Sequence, residues 1–202
     1  FYPYIDRYGT FGNSEFSGNM TDGLTETFKY GSYAPGTMAG DANNYSMIPE
    51  SISPTGNLLG TWAVTYERIR RVNEFLVGME KYSTLSAAAN ERFMAEAKFF
   101  RAYCYFNLVR AWGEVPKIDF KIKDASQANI PKSSAAEIYA LIDADLTFAE
   151  ANLPQSWQAK YTGRLTWGAA KSLHARTYMM RNDWGNMLAA SKEVICDEAI
   201  VP

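Results

Sequence analysis

Histidine and cysteine are scarce in this chain, and their scarcity narrows what it can do. His174 is the only histidine among the 202 residues, and Cys104 and Cys196 are the only cysteines. Because zinc takes three or four ligands, His174 cannot form a metal site by itself, and we predict no metal. No acidic or thiol partner is evident near it in the helical pattern, which favours a structural role. The two cysteines could be bridged, but buried free thiols are the favoured interpretation.

Neither sign of charge dominates, and long apolar runs are missing. Lysine and arginine total 20 against 22 aspartates and glutamates, for a net charge of -2. No basic run suggests a nucleic-acid partner or an anionic membrane surface. No apolar run approaches the roughly 20 residues that a bilayer-spanning helix needs. The sequence therefore predicts no nucleic-acid binding and no membrane contact through the residues present.

Catalytic patterns are missing as well. Asp143 and Asp145 stand two residues apart on a helix and so face different directions. They cannot form the carboxyl pair that glycoside hydrolysis needs. Gly31-x-x-x-x-Gly36 lacks the lysine of a phosphate-binding loop, and no nucleophile can be paired with His174. We predict that the chain is not an enzyme, with no catalytic residue and no cofactor.

Helical patterns begin at Leu58 and continue to the end of the chain. Ser134 and Glu137 form a capping-box pattern, while Gly113 followed by Pro116 is a helix-ending pattern. The predicted helices span residues 58–81, 87–112, 135–151, 166–181 and 183–196. Helical tryptophans are expected in the core: Trp62, Trp112, Trp167 and Trp184.

The second of these helices carries two apolar stripes. One comprises Phe93, Ala97, Phe100, Cys104, Leu108 and Ala111, and the other Phe99, Tyr103 and Phe106. A helix that is wet on one side needs a single stripe, so this helix is predicted to lie between other helices. Glu96 and Arg101 interrupt the apolar surface, and a buried charge needs a partner. We expect both to form structural ion pairs or backbone contacts.

The last two helices have the composition of a tetratricopeptide-type hairpin. Small residues such as Gly168 and Ala170 allow two helices to approach closely, and Tyr178 and Trp184 can fill the groove between hairpins. The predicted fold is all-α, built of tetratricopeptide-like hairpins with a long loop-rich N-terminal segment. We divide the chain into that segment, residues 1–57, and a helical scaffold, residues 58–202.

Residues 1–57 are the candidate ligand face. They are rich in Gly, Asn, Ser, Thr and Tyr without helical or strand periodicity. Aromatic rings beside amide and carboxylate groups suit the apolar faces and hydroxyl rims of sugars. The candidate ligand residues are Asp22, Phe28, Tyr30, Tyr33, Asn43 and Tyr45. The alternative is that these rings pin the loops onto the helices. Trp157 and Tyr161 are further candidates in a later loop.

Three stretches of the helical region have distinctive residue patterns. The most specific is Ala95-Glu96-Ala97-x-Phe99-x-Arg101-Ala102-x-x-Tyr105-Phe106-x-Leu108-Val109-x-x-Trp112-Gly113-x-Val115-Pro116. The others are Trp62-x-x-x-Tyr66-x-x-Ile69-x-x-x-Asn73-x-x-Leu76 and Gly163-Arg164-Leu165-Thr166-x-Gly168-Ala169-Ala170. Together the three stretches resemble the SusD/RagB family of outer-membrane nutrient-binding lipoproteins. Their order is that of the family, whose members are considerably longer. The resemblance implies the N-terminal portion of such a protein.

The resemblance also implies a function. Family members capture oligosaccharide or another nutrient, in some cases peptide, at the extracellular face of the outer membrane. They deliver it to a SusC-like TonB-dependent transporter, and their anchor is an N-terminal lipid that this sequence does not include. Thr21-Asp22-Gly23 resembles the element that precedes an aromatic loop in the family. Starch-binding members carry a tryptophan there and this chain does not, which argues against starch itself. The alternative function is a tetratricopeptide-type adaptor for protein or peptide.

Overall fold

The computed structural model describes residues 1–5 and 62–195. The chain divides into two compact units, Phe1–Tyr66 and Glu67–Pro202. In the first unit, the rings of Phe1 and Tyr4 lie 5.7 Å apart. The second unit holds most of the described helices, and the candidate site is built from it. The expected division at residues 57 and 58 stays a prediction.

Five α-helices lie within residues 62–195, and the all-α prediction is confirmed. They are α1 (Trp62–Tyr82), α2 (Ala87–Trp112), α3 (Ala135–Asn152), α4 (Trp167–Met180) and α5 (Trp184–Ile195). Two-residue strands β1 (Val115–Pro116) and β2 (Lys132–Ser133) pair antiparallel, with Val115 opposite Ser133. Short 3₁₀ helices span Ala125–Ala128 and Ala159–Tyr161. The strands were not predicted, because two residues are too few to show a period of two.

Local chemistry explains the helix ends. The Ser134 hydroxyl accepts from the Glu137 amide at 3.3 Å, and the Glu137 carboxylate accepts from the Ser134 amide at 2.8 Å. This reciprocal pair is the predicted capping box at the start of α3. Gly113 ends α2 at φ +69°, where a side chain would be strained, and its amide bonds to the Val109 carbonyl. Asn182, at φ +58°, makes the turn between α4 and α5.

The capping box gives a stability prediction. Replacing Ser134 with alanine removes an acceptor for the first-turn amides, so unfolding should become easier by about 1 kcal/mol. Urea unfolding followed by circular dichroism measures the change. Ser156→Ala, at an exposed loop serine, is the matched control and should shift stability by less than about 0.5 kcal/mol. Equal effects in the two variants would contradict the assigned cap.

The core is centred on α2, as its two stripes predicted. Phe100, Cys104, Tyr105 and Leu108 are all fully buried, and Phe99 and Phe106 of the second stripe are buried too. This helix packs along α3 and more briefly against α4. Cys104 is a free, buried thiol as expected, whereas Cys196 lies outside the described residues. The aliphatic residues of α3 that complete the core are Ile138, Ile142, Leu146 and Ala149.

None of the four helical tryptophans is buried, which corrects the expectation for all of them. Trp112 and Trp167 are half-buried, whereas Trp62 is 38% exposed and Trp184 is 55% exposed. Trp62 and Trp184 are each the first residue of a helix, ahead of the turns that are packed. In α5 the buried position is Ala190, and Leu188 is also exposed. The small residue Ala190 is therefore at the closest approach of α5, while Met187 and Val194 are half-buried.

The described helices are also informative about membranes. None of those within residues 1–5 and 62–195 has both the length and the apolar character that crossing a bilayer requires.

Candidate functional site

The predicted ligand residues of the N-terminal segment lie outside the described residues. This applies to all six: Asp22, Phe28, Tyr30, Tyr33, Asn43 and Tyr45. The other aromatic candidates, Trp157 and Tyr161, are described, and they belong to the loop that joins α3 to α4.

Trp157 and Tyr161 come together around the side chain of Arg164. Their rings meet edge to face with centroids 5.9 Å apart. The Arg164 guanidinium lies 4.1 Å from the Trp157 ring and 5.6 Å from the Tyr161 ring. The indole N–H of Trp157 donates to the Leu165 carbonyl at 2.8 Å. Trp157 is thereby fixed in place, while Tyr161 remains 41% exposed.

The same arginine ties this loop to α2. Arg164 donates to the carboxylate of Glu96, a residue that is only 7% exposed. Its guanidinium also lies 5.4 Å from the ring of Phe93, and Arg92 lies 5.4 Å from the Trp157 ring on α2's side of the cluster. A guanidinium over aromatic faces gains cation–π attraction. We call Phe93, Glu96, Trp157, Tyr161 and Arg164 the arginine cluster. Chemically it is a packing unit that presents one exposed ring, Tyr161, to solvent.

A second buried network joins α2 to α1 and α3. Arg101 donates to Asp145 through two nitrogens, Nε at 2.7 Å and Nη2 at 2.8 Å. Its Nη1 donates to Asn73 Oδ1 at 2.8 Å, and Asn73 in turn donates to the Ile118 carbonyl at 2.8 Å. Burial opposes the charged guanidinium, but Asp145 outweighs it and raises the pKa of Arg101. The expected ion pairs of Glu96 and Arg101 are thus both found.

The Tyr105 side chain is hydrogen-bonded to the backbone of the segment that follows β1. Its hydroxyl accepts from the Ile118 amide at 2.6 Å and donates to the Ile118 carbonyl at 3.1 Å. Burial is the main reason why the pKa of Tyr105 rises. This arrangement anchors backbone and leaves the phenol no part in binding a ligand.

His174 has acidic partners that the sequence did not reveal. Its Nδ1 lies 2.7 Å from Glu150 Oε1, and its Nε2 lies 3.3 Å from Asp143 Oδ1. Both carboxylates belong to α3 and are 24 and 31 residues away in sequence. The expectation that His174 lacks an acidic neighbour is therefore wrong, because helix packing supplies what sequence proximity does not. Its structural role is consistent with these contacts.

The carboxylates of α3 separate as the helical spacing predicted. Asp143 pairs with Arg181, the C-cap residue of α4, at 2.7 Å, whereas Asp145 faces α2 and pairs with Arg101. Within the described ranges, no group of three or more histidine, cysteine, aspartate or glutamate side chains is placed to hold a metal ion. Asp143 and Asp145 thus form ion pairs that hold helices together.

A family match decides what kind of chain this is. Residues 6–179 match the SusD-like family model described as "Starch-binding associating with outer membrane". The chain belongs to the SusD-like family. The match covers α1, α2, α3 and nearly all of α4, with the arginine cluster and the Arg101 network, so these charged contacts form part of a SusD-like scaffold.

Individual relatives agree. This SusD-like chain is 30% identical to SusD-like protein P2 of Formosa agariphila over 164 residues, which is 79% of the chain and 30% of that relative. It is 31% identical to a SusD-like protein of Bacteroides ovatus over 64% of the chain and 24% of that relative. The chain therefore spans less than a third of the length of each of these two relatives.

Solved structures share the fold across almost the whole chain. A laminarin-binding SusD-like protein is 27% identical, with a TM-score of 0.77 over 96% of this chain and 41% of its own. Surface glycan-binding protein A from Bacteroides uniformis, at 23% identity and a TM-score of 0.76, matches in fold. The helical scaffold of this chain is thus the SusD-like one.

Proposed function

We propose that this SusD-like chain is part of a non-catalytic glycan-binding protein at the cell surface. One observation carries the proposal: the family match, with its starch-binding and outer-membrane description, covers residues 6–179. The shared fold with a laminarin-binding relative supports a glycan as the ligand. The charged groups described above form ion pairs between helices, which supports binding without catalysis.

The finer steps of the proposal follow from the family resemblance. The protein would be lipid-anchored at the extracellular face of the outer membrane. It would capture an oligosaccharide, or a peptide, and deliver it to a SusC-like TonB-dependent transporter. Co-purification with a barrel-type membrane protein, tested with the full-length protein in detergent, examines the last step. A protein that purifies alone, with its transporter present in the membrane, would contradict it.

The proposed ligand face is the aromatic N-terminal segment. Stacking of a ring on a sugar face loses its contact area when the ring is removed, so Phe28→Ala and Tyr30→Ala should each weaken glycan binding about 5- to 10-fold. Isothermal titration against a panel that includes laminarin measures this. Tyr82→Ala removes a 71% exposed tyrosine at the end of α1 and should leave the affinity unchanged.

The same titration separates the two aromatic regions. Unchanged binding in both the Phe28 and the Tyr30 variants would rule out that loop as the ligand face. Weakened binding in Tyr161→Ala alone would move the site to the exposed ring of the arginine cluster. No binding of any glycan by the unmodified protein would refute the glycan proposal itself.

A second candidate function, a tetratricopeptide-type adaptor, is supported by one feature. A cavity of about 260 Å³ lies between α4 and α5, and its lining includes Ala175, Met179, Val194 and Ile195. An apolar groove between helices is the kind of surface on which a peptide helix docks. Capture of a soluble protein without any glycan affinity would favour this candidate over the first.

A further inference from the structure

Five charged side chains alternate in sign along the contact between α3 and α4. Lys171 and His174 share one face of α4, and Arg181, the C-cap residue of α4, continues that face at spacings of three and seven residues. Asp143 and Glu150 are seven residues apart on α3. Glu150 lies between Lys171 and His174, and Asp143 lies between His174 and Arg181. The two helices run antiparallel here, and His174 is the middle link. We call these five residues the charged ladder.

The ladder is well connected and largely shielded. Lys171 Nζ lies 2.8 Å from Glu150 Oε2, and Arg181 donates to both oxygens of Asp143 at 2.7 and 2.9 Å. His174 is 5% exposed, and its ring stacks on Tyr178 with centroids 4.5 Å apart. A buried imidazole in van der Waals contact with a ring cannot turn its nitrogens toward water. Its protonation must therefore match the groups that face it.

Both of the groups nearest the ring nitrogens are acceptors. A neutral imidazole carries one N–H, so its other nitrogen is a lone pair. If Nδ1 lost its proton, a lone pair would lie 2.7 Å from Glu150 Oε1. If Nε2 lost its proton, a buried lone pair would lie 3.3 Å from Asp143 Oδ1, and no other partner for Nε2 exists among the described residues. The imidazolium alone avoids both repulsions.

We propose that His174 is held as an imidazolium between Glu150 and Asp143, and that the attachment of the α4–α5 hairpin to α3 is therefore pH-sensitive. Deprotonation removes the middle cation and leaves two half-buried carboxylates facing a neutral ring. The contact between α3 and α4 then weakens, while the packing of α2 against α3 keeps its apolar contacts. His174 is a pH-responsive fastening of the hairpin.

Other ionisable groups lie close to the ladder. Glu193 of α5 also pairs with Lys171, because its Oε2 lies 3.0 Å from Lys171 Nζ, and it therefore balances part of the lysine's positive charge. Asp183, before α5, and Tyr139 of α3 act on the Asp143–Arg181 end. On the side of α2, Tyr103 and Arg110 face Arg176 of α4. With Glu193 included, the ladder holds three cations and three carboxylates only while His174 is charged.

The signs of the pKa shifts define the pH window. Burial disfavours the imidazolium, but Asp143 and Glu150 outweigh it and raise the pKa of His174 above 6.5. The stability it contributes is complete below that value and is lost as pH rises through the folded-state pKa. Burial also opposes both carboxylates, yet His174 with its cationic neighbours lowers the pKa of Asp143 and of Glu150. The contribution of Asp143 is lost as pH falls below 3.8, and that of Glu150 is lost as pH falls below 4.5. The fastening is strongest between pH 4.5 and the folded-state pKa of His174.

A single-histidine titration tests the proposal. Because His174 is the only histidine of the 202-residue chain, its ring resonances are unambiguous in ¹H–¹³C and ¹H–¹⁵N spectra. We expect a titration midpoint above 6.5 and two protonated ring nitrogens at pH 6. Glu150→Gln removes the charge at 2.7 Å and should lower the midpoint, whereas Glu193→Gln, one link further away, should change it less. A midpoint at or below 6.5 in the unmodified chain overturns the proposal.

Hydrogen exchange gives a second, independent readout. Amides of α4 should lose protection relative to those of α2 as pH rises through the measured midpoint, after correction for the intrinsic exchange rate. His174→Gln should abolish that pH-dependent difference. If the difference persists in the glutamine variant, the fastening does not depend on His174 and the proposal fails. The titration of the unmodified chain decides the question if that variant does not fold.

Discussion

Replacing Arg101 with alanine should destabilise the fold by about 3–5 kcal/mol, the usual result of breaking a buried ion pair from one side. The side chains of Arg101 and Asp145 are 8% and 3% exposed. Removing the guanidinium leaves the Asp145 carboxylate buried without its partner, and Asn73 loses a donor as well. A loss of that size is a large part of the stability of an ordinary domain. Chemical unfolding in urea measures it.

The pH dependence of this loss identifies its cause. Burial already raises the pKa of Asp145 against the opposing effect of Arg101. Without Arg101 that pKa rises further, so the folded variant binds a proton that the unfolded chain releases above 3.8. Stability of the variant must then fall as pH rises from 4 toward the new pKa. A destabilisation that is the same at pH 4 and pH 7 would exclude an uncompensated carboxylate as its origin.

A paired substitution provides the control. Arg101→Met combined with Asp145→Leu removes both charges and fills most of the volume, and such replacements are often neutral or stabilising. We expect the double variant to be more stable than Arg101→Ala. Arg101→Lys keeps the charge but cannot make the two parallel bonds to Asp145. Its stability should therefore lie between that of Arg101→Ala and that of the double variant. If the double variant were the least stable, the pair would be adding net stability rather than avoiding a penalty.

The helices could be predicted because their signals are local. The capping box at Ser134, the glycine at position 113 and the two apolar stripes of α2 each depend on residues within a few turns of one another. The bounds of α2 agree with the expected residues 87–112. Most positions of both stripes are buried, as their number predicted, although Phe93 and Tyr103 are half-buried and Ala111 is exposed.

The partners of the charged residues could not be predicted, because they are set by packing. Arg101 and Asp145 are 44 residues apart, and Glu96 and Arg164 are 68 apart. The sequence showed that Glu96 and Arg101 needed partners but contained no signal for which ones. His174 was misjudged for the same reason, and a heptad spacing of Asp143 and Glu150 opposite a basic face was the one signal that could have found it.

Solvent exposure was predicted least well at helix margins. Arg68 of α1 is 6% exposed, although the side chains of the neighbouring Arg70 and Arg71 are more than half exposed. The buried arc of α1 includes Arg68, Ile69, Val72 and Asn73, so it is wider than one stripe. The aromatic residues proposed as the ligand face remain predictions, and their test is the glycan titration.

Replacing Arg164 with alanine should be the second most damaging change, at about 2–4 kcal/mol. Part of the loss comes from Glu96, whose side chain is 9% exposed and would lose its cation. The rest comes from the cation–π contact with Trp157 at 4.1 Å, for which about 1–2 kcal/mol is typical of shielded pairs. Since Arg164 also lies near Phe93 and Tyr161, its loss should loosen the loop between α3 and α4 as well as weaken the fold.

Arg164→Lys separates the two contributions. Lysine keeps a positive charge for Glu96 but cannot stack a planar group on the Trp157 ring, so it should recover part of the lost stability. The chain has five tryptophans, so the Trp157 emission is obtained as the difference from a matching variant with Trp157→Phe, and it should shift toward longer wavelength in both Arg164 variants. Glu96→Gln is the complementary change: it should destabilise the fold while leaving the tryptophan emission in place.

If Arg164→Lys matched the unmodified chain in both stability and emission, the charge alone would account for the cluster. In that case the guanidinium plane would have no special part in holding Tyr161 at the surface.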